Sequence, residues 1–224
     1  MKPALYPIPL LIVTVLFLIR AGFLKNQRQI YIFKPVSSLL VIAVALLSLL
    51  EPEQNLTYTL GVMIGLFLSF GGDLALMFQE NRKAFMLGLI FFLLANLVYC
   101  GIFALLGRFT TWDFLPMALL TAAGIGFYVL IRPKLGKMRV PVIAYIVVIS
   151  AMVSRAASTL NSPVFKKSQA LMIVAGAVLF YISDVILAAN RFWKPWKYNR
   201  ISLAFYYSGQ LLIALAGSYF VLSL

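Results

Sequence analysis

Apolar stretches about 20 residues long alternate with short polar breaks along the whole chain. A helix rises 1.5 Å per residue, so about 20 apolar residues cross the hydrocarbon core of a bilayer. Eight runs have roughly that length, at 4–23, 33–50, 56–78, 84–107, 114–131, 140–158, 169–190 and 201–223. The breaks read KNQRQ, EPEQN, QENRK, GRFTTWD, RPKLGKMR, NSPVFKKS and RFWKPWKYNR. The pattern predicts an all-α polytopic membrane protein. It is expected to form one bundle of eight transmembrane helices over residues 1–224, with no appended soluble domain. The first run has no small-residue cleavage site and only Lys2 as a basic residue upstream, so it is expected to be retained rather than removed as a signal peptide.

Composition supports the membrane assignment. The chain is 63% hydrophobic and 11% charged, against roughly 45–50% and 25% in soluble domains. Too little polar surface is available to coat a globule in water. The net charge of +13 comes from cations in short loops, which is the pattern of headgroup contact and topology setting. No basic segment is long enough to line a nucleic-acid groove, so membrane lipids and not nucleic acid are the expected partners. Cys100 is the only cysteine and there is no histidine. The chain therefore offers neither an intrachain disulfide nor the usual zinc or iron ligands, and no metal or cofactor is expected.

The loop cations set an orientation. Of nineteen Lys and Arg residues, fourteen fall at the odd-numbered breaks and only five at the even breaks and the N-terminus. The odd breaks are thus expected on the cytoplasmic side and both termini outside. Against this background two residues stand out. Asp73 and Asp184 lie inside apolar runs, while the other four acidic residues sit in or beside breaks. An intramembrane carboxylate costs a few kcal/mol on insertion scales, so each is a functional-site candidate. Runs three and seven both descend from outside to inside. Asp73 and Asp184 are five and six residues from the inner ends of these runs, a shared depth of roughly 8–9 Å. Gly65, Leu68 and Leu76 precede or follow Asp73 at the same spacings as Gly176, Leu179 and Leu187 do Asp184. This match predicts a parallel four-plus-four repeat.

Several polar positions share faces with these carboxylates. Gly61, Gly65, Ser69 and Asp73 recur every four residues, a small-residue stripe that would pack against another helix and turn Asp73 into the bundle. In run eight, Tyr206, Gln210 and Ala214 share a face, with Tyr207 beside it. In run four, Gly88, Phe92, Asn96 and Cys100 do so, with Tyr99 adjacent. Tyr206, Tyr207 and Gln210 are expected to reach Asp184, and Asp73 to sit among apolar neighbours. On that reading Asp73 is the protonated acid and Asp184 the anion, since hydrogen-bond donors favour a charged carboxylate. Lys34-Pro35 is expected to open run two, with Lys34 and Arg191 at the cytoplasmic mouth in reach of a lipid phosphate.

The segments SFGGDLALM, GAVLFYISDVILAANRF and YYSGQLLIALAGSYF, together with Lys34-Pro35, Tyr99 and the stretch from Tyr145 to Met152, resemble the YhhN-like family of lysoplasmalogenases. The likeness covers roughly residues 30–220, and SDVILAANRF is its most specific block. It implies an eight-helix membrane hydrolase that cleaves the vinyl ether of a lysoplasmalogen to a fatty aldehyde and a glycerophospho-base, without a metal. It implies the inner membrane of a bacterium, with the site toward the cytoplasmic leaflet. It marks Asp73, Asp184, Asn190, Arg191, Tyr206 or Tyr207, and Gln210. Lys34, Asn96 and Tyr99 complete the expected substrate-binding set. One position departs: relatives often carry histidine where this chain has Asn96, three residues before Tyr99. The competing reading is a proton- or cation-coupled carrier using the same two aspartates, in which Gly71-Gly72 would mark an unwound helix. The orientation has a direct check: a C-terminal reporter that matures only in the cytoplasm should stay dark, and a bright one reverses the topology.

Overall fold

A computed structural model describes residues 2–52 and 54–219. Among the described residues the chain forms eight α-helices joined by turns and short 3-10 segments. They are α1 (Ile8–Phe23), α2 (Gln27–Ser48), α3 (Leu56–Leu76), α4 (Arg82–Leu106), α5 (Phe114–Leu135), α6 (Arg139–Ser158), α7 (Lys167–Phe192) and α8 (Ser202–Ala216). Seven helical stretches are long and apolar enough to cross a membrane. The fifth, Thr111–Asn161, contains both α5 and α6. That stretch turns at Gly136, whose φ of 51° is open to glycine without steric cost, and α5 packs back against α6. The end of the eighth predicted run, 220–223, lies outside the described residues.

The helix starts are written in the breaks. Asn26, Asn55 and Asn81 each precede a helix, and each side chain accepts a backbone N–H from the first turn. This is the standard remedy for the unpaired donors of a helix start. The cap at Asn26 corrects one expectation. Gln27, Arg28 and Gln29 are helical, so α2 begins six residues before the predicted run. Pro35 is then an interior residue of α2, and Lys34 sits seven residues, or ~10 Å, inside the helix.

Helices α1 and α5 are peripheral and pack chiefly on α2 and α6. The inner helices are zipped by small residues. A Cβ built at Gly61 would come within 2.3 Å of Ile102, and one at Gly65 within 2.2 Å of the Tyr99 ring. Gly61 and Gly65 of the α3 stripe therefore form the seam with α4. On the other side, a Cβ at Gly176 would meet the Gly209 carbonyl at 2.7 Å, and the reverse holds too. The α7 and α8 backbones approach as closely as glycine permits. Gly71 and Gly72 do not interrupt α3: they remain helical and face Phe91 and Phe92. The unwound segment expected of a carrier is not found there.

The seam makes a sharp contrast testable. Gly65→Ala should lower thermal stability in detergent by about 1–3 kcal/mol through overpacking. Gly101→Ala, on the same pair of helices but with nothing within 4 Å of its new Cβ, should be neutral or slightly stabilising.

Candidate functional site

The site grows from a buried cation. Lys34 is 8% exposed and Asp73 2%. The Lys34 Nζ lies 3.3 Å from Asp73 Oδ1. Two hydroxyls complete the carboxylate shell at its other oxygen: Ser38 donates to Oδ2 at 2.6 Å and Tyr206 at 2.8 Å. Lys34 and Ser38 are one turn apart on α2, so one face of that helix supplies both. Tyr207 lies 3.2 Å from the Ser38 hydroxyl and donates to the Lys34 carbonyl at 3.1 Å. Deeper in the bundle a chain of bonds links α4, α8 and α3. Tyr99 donates to Gln210 at 2.8 Å, and Gln210 donates to Ser69 at 2.9 Å.

Asp184 has different surroundings. Its carboxyl accepts the Tyr145 hydroxyl of α6. Tyr145 in turn receives the Asn96 amide at 3.3 Å, while Asn96 Oδ1 is buried without a partner among the described residues. Apolar side chains make most of the wall around this group: Phe85, Leu89, Phe127, Ile146 and Ile149.

These contacts reverse the expected surroundings of the two carboxylates. Tyr206 serves Asp73 and not Asp184, Tyr207 binds the Lys34–Ser38 turn, and Gln210 bonds with Tyr99 and Ser69. It is Asp73 that has the donors and Asp184 that has the apolar wall. The reason is packing: α8 leans on α2 and α3 as well as on α7, and periodicity alone does not choose between them.

Two cavities meet at this point, with about 890 and 700 Å³ of space between their walls, counting what is open to the exterior. The first is polar and is lined by Gln27, Lys34, Asp73, Glu80, Asp184 and Arg200. With Leu18 and Gly22 near the end of α1, these lie toward the ends of α3 and α7 and the starts of α2 and α8, so it opens at the end of the bundle that carries the basic loops. The second is apolar and runs between α4, α5, α6 and α7. Leu76, Phe92, Asp184 and Leu187 line both. Asp73 and Asp184 thus face one cavity, as their position in the sequence suggested. They are not at equal distance from their helix ends, three residues for Asp73 and eight for Asp184.

Of the expected binding residues only Lys34 and Tyr206 line these cavities; Asn96, Tyr99, Tyr207 and Gln210 are bonded within the bundle, and Asn190 and Arg191 lie at the end of α7. Asn190 accepts the Trp196 backbone N–H at 2.9 Å and ties down the α7–α8 loop. The Arg191 guanidinium lies over the Phe85 ring at 4.9 Å. Neither lines either of these two cavities. Ser38, Tyr145 and Arg200 were not singled out from the sequence as binding residues. Ser38 had a signal, since it sits one turn from Lys34.

The profile of the YhhN family matches residues 29–217. The chain belongs to the YhhN family. Curated relatives include the protein named lysoplasmalogenase TMEM86A from Homo sapiens, 31% identical over 163 residues, and its Bos taurus counterpart, 30% identical over 160. Each alignment covers 69% of this chain and 64% of the relative. The chain thus spans less than two thirds of those relatives' length. No solved structure matches it. The family match begins just after the start of α2 and ends past α8, so it contains every polar residue of the paired cavities except Gln27.

A buried ion pair that loses one partner leaves a stranded charge, at a cost of about 3–5 kcal/mol. Lys34→Met should therefore depress the unfolding temperature strongly. The double variant Lys34→Met with Asp73→Asn should recover much of the loss, because no charge remains buried. Equal damage in single and double variants would show that the pair does not hold the site together.

Proposed function

We propose that the protein is a membrane lipid hydrolase that cleaves the vinyl ether bond of a lysoplasmalogen-type lysophospholipid. The observation that carries this reading is the junction of a polar and an apolar cavity at Asp184, with Asp73 in the wall of the polar one. A single-chain ether lipid has the matching form: a phospho-base head, one hydrocarbon chain, and an ether carbon between them. Its head fits the cavity of Lys34 and Arg200, and its chain fits the cavity between α4 and α7. The bond to be cleaved then comes to lie near Asp184.

The proposed chemistry uses the chain's own groups. Asp184, in its neutral form, gives a proton to the β-carbon of the alkene and leaves an oxocarbenium ion. An apolar wall suits a neutral acid, because an unpaired carboxylate there costs several kcal/mol. Asp73, the better-served anion, stabilises the cation. Water adds to the cationic carbon and returns a proton to Asp184, which acts first as acid and then as base. The resulting hemiacetal passes its hydroxyl proton to the departing glycerol oxygen and yields aldehyde and alcohol. Tyr145 orients Asp184 throughout by its hydroxyl. The names of the relatives support this reading, as does the placement of both carboxyls in one cavity.

Purified protein in detergent should release fatty aldehyde from an alkenyl lysophospholipid and no fatty acid from the acyl analogue. Asp184→Asn should lose at least ~100-fold in rate, the lower end for general acid–base catalysis, while retaining its unfolding temperature. Fatty acid as the product, or near-normal turnover in both Asp184→Asn and Asp73→Asn, would overturn the assignment.

A further inference from the structure

The two cavities stand in a regular relation. Asp73 and Asp184 are 111 positions apart, and so are Lys34 and Tyr145, Asn96 and Tyr207, Tyr99 and Gln210, and Leu76 and Leu187. Each first member sits in α2, α3 or α4, and each second in α6, α7 or α8. The packing repeats with the numbering. Helix α2 packs on α3 and α8, and α6 packs on α7 and α4. The partner of each aspartate follows suit: Lys34 of α2 meets Asp73, and Tyr145 of α6 meets Asp184. Tyr99 and Gln210, counterparts of each other, are hydrogen-bonded, as expected of residues flanking an axis between two halves. Leu76 and Leu187 line both cavities.

The same register pairs Leu89 with Arg200. Leu89 lines the apolar cavity and Arg200 the polar one. Among the register pairs with both members lining the cavities, two differ in kind, lysine against tyrosine and leucine against arginine. Lys34 is already occupied by Asp73. Arg200 is half-buried, and among the described residues its guanidinium has neither an ion pair nor a hydrogen bond. Its stem lies against Gly22, where a Cβ would approach Arg200 Cδ to 2.9 Å. A held guanidinium fork with free donors is suited to a phosphate. Glu80 lines the same cavity and acts on Arg200 by charge at longer range, outside the 4.0 Å of an ion pair.

We propose that Arg200 is the headgroup anchor of this site, binding the phosphate of a single-chain phospholipid, and that its counterpart Leu89 marks the cavity for the hydrocarbon chain. This rests on the amphiphile reading above. Once made, the assignment explains how one duplicated framework gives opposite ends of a lipid separate compartments.

The test is a binding measurement in phospholipid-free maltoside micelles. The probes are a non-cleavable alkyl ether lysophosphocholine and the alkylglycerol with the same chain and no phosphate. The native protein should prefer the phosphocholine lipid by about tenfold or more, as expected for charge-assisted hydrogen bonds. Arg200→Gln should abolish most of that preference and leave the alkylglycerol affinity unchanged, with Arg200→Lys intermediate. Gly22→Ala, which keeps the charge but displaces the stem, should reduce the preference in the same direction. Leu89→Arg should weaken both lipids alike. Full preference retained in Arg200→Gln, or in Gly22→Ala should Arg200→Gln fail to fold, overturns the anchor. Unchanged affinities in Leu89→Arg overturn the assignment of the chain cavity. If the native protein binds neither lipid, the amphiphile reading fails and this proposal fails with it.

Discussion

The structure around the site depends on one buried ion pair. A lysine and an aspartate inside a bilayer are each expensive alone, and together they neutralise each other only if geometry and extra donors are supplied. Here α2 supplies Lys34 and Ser38 from one face, α3 supplies Asp73 from the end of its small-residue stripe, and α8 supplies Tyr206. Three helices are therefore held in register by a single carboxylate. Glycine seams flank this cluster, joining α3 to α4 and α7 to α8.

Among the described residues the second carboxylate has one donor, from Tyr145, and an apolar wall. Two similar groups in unlike surroundings are a recurrent way of dividing acid and base roles. The division here follows the cavities: the polar one opens at the basic-loop end, and the apolar one runs between helices. An amphiphile lying across both would have its polar–apolar junction beside Asp184, which lines both cavities.

Much of this was legible in the sequence, and the part that was not has identifiable causes. Hydrocarbon thickness sets helix length, so α3, α4, α6 and α7 begin and end within about two residues of their apolar runs. The start of α2 was hidden because Gln27, Arg28 and Gln29 look like loop. The Asn26 cap makes them helical and thereby moves Lys34 from the mouth into the bundle. The carboxylates were evident from their cost alone. Their partners were not, since Tyr206 could reach either one until the lean of α8 was known. Arg191 was read as a phosphate ligand from its position at the mouth, yet it lies over Phe85, while Arg200, in a break that looked like ordinary positive-inside sequence, faces the cavity.

The most direct measurement of the central claim is an experimental structure with a non-cleavable alkyl ether lysophospholipid bound. The account predicts one molecule across both cavities, with its phosphate at Arg200, its ether oxygen near Asp184, and its chain between α4 and α7. A lipid found wholly within one cavity, or with its ether linkage away from both aspartates, would contradict it.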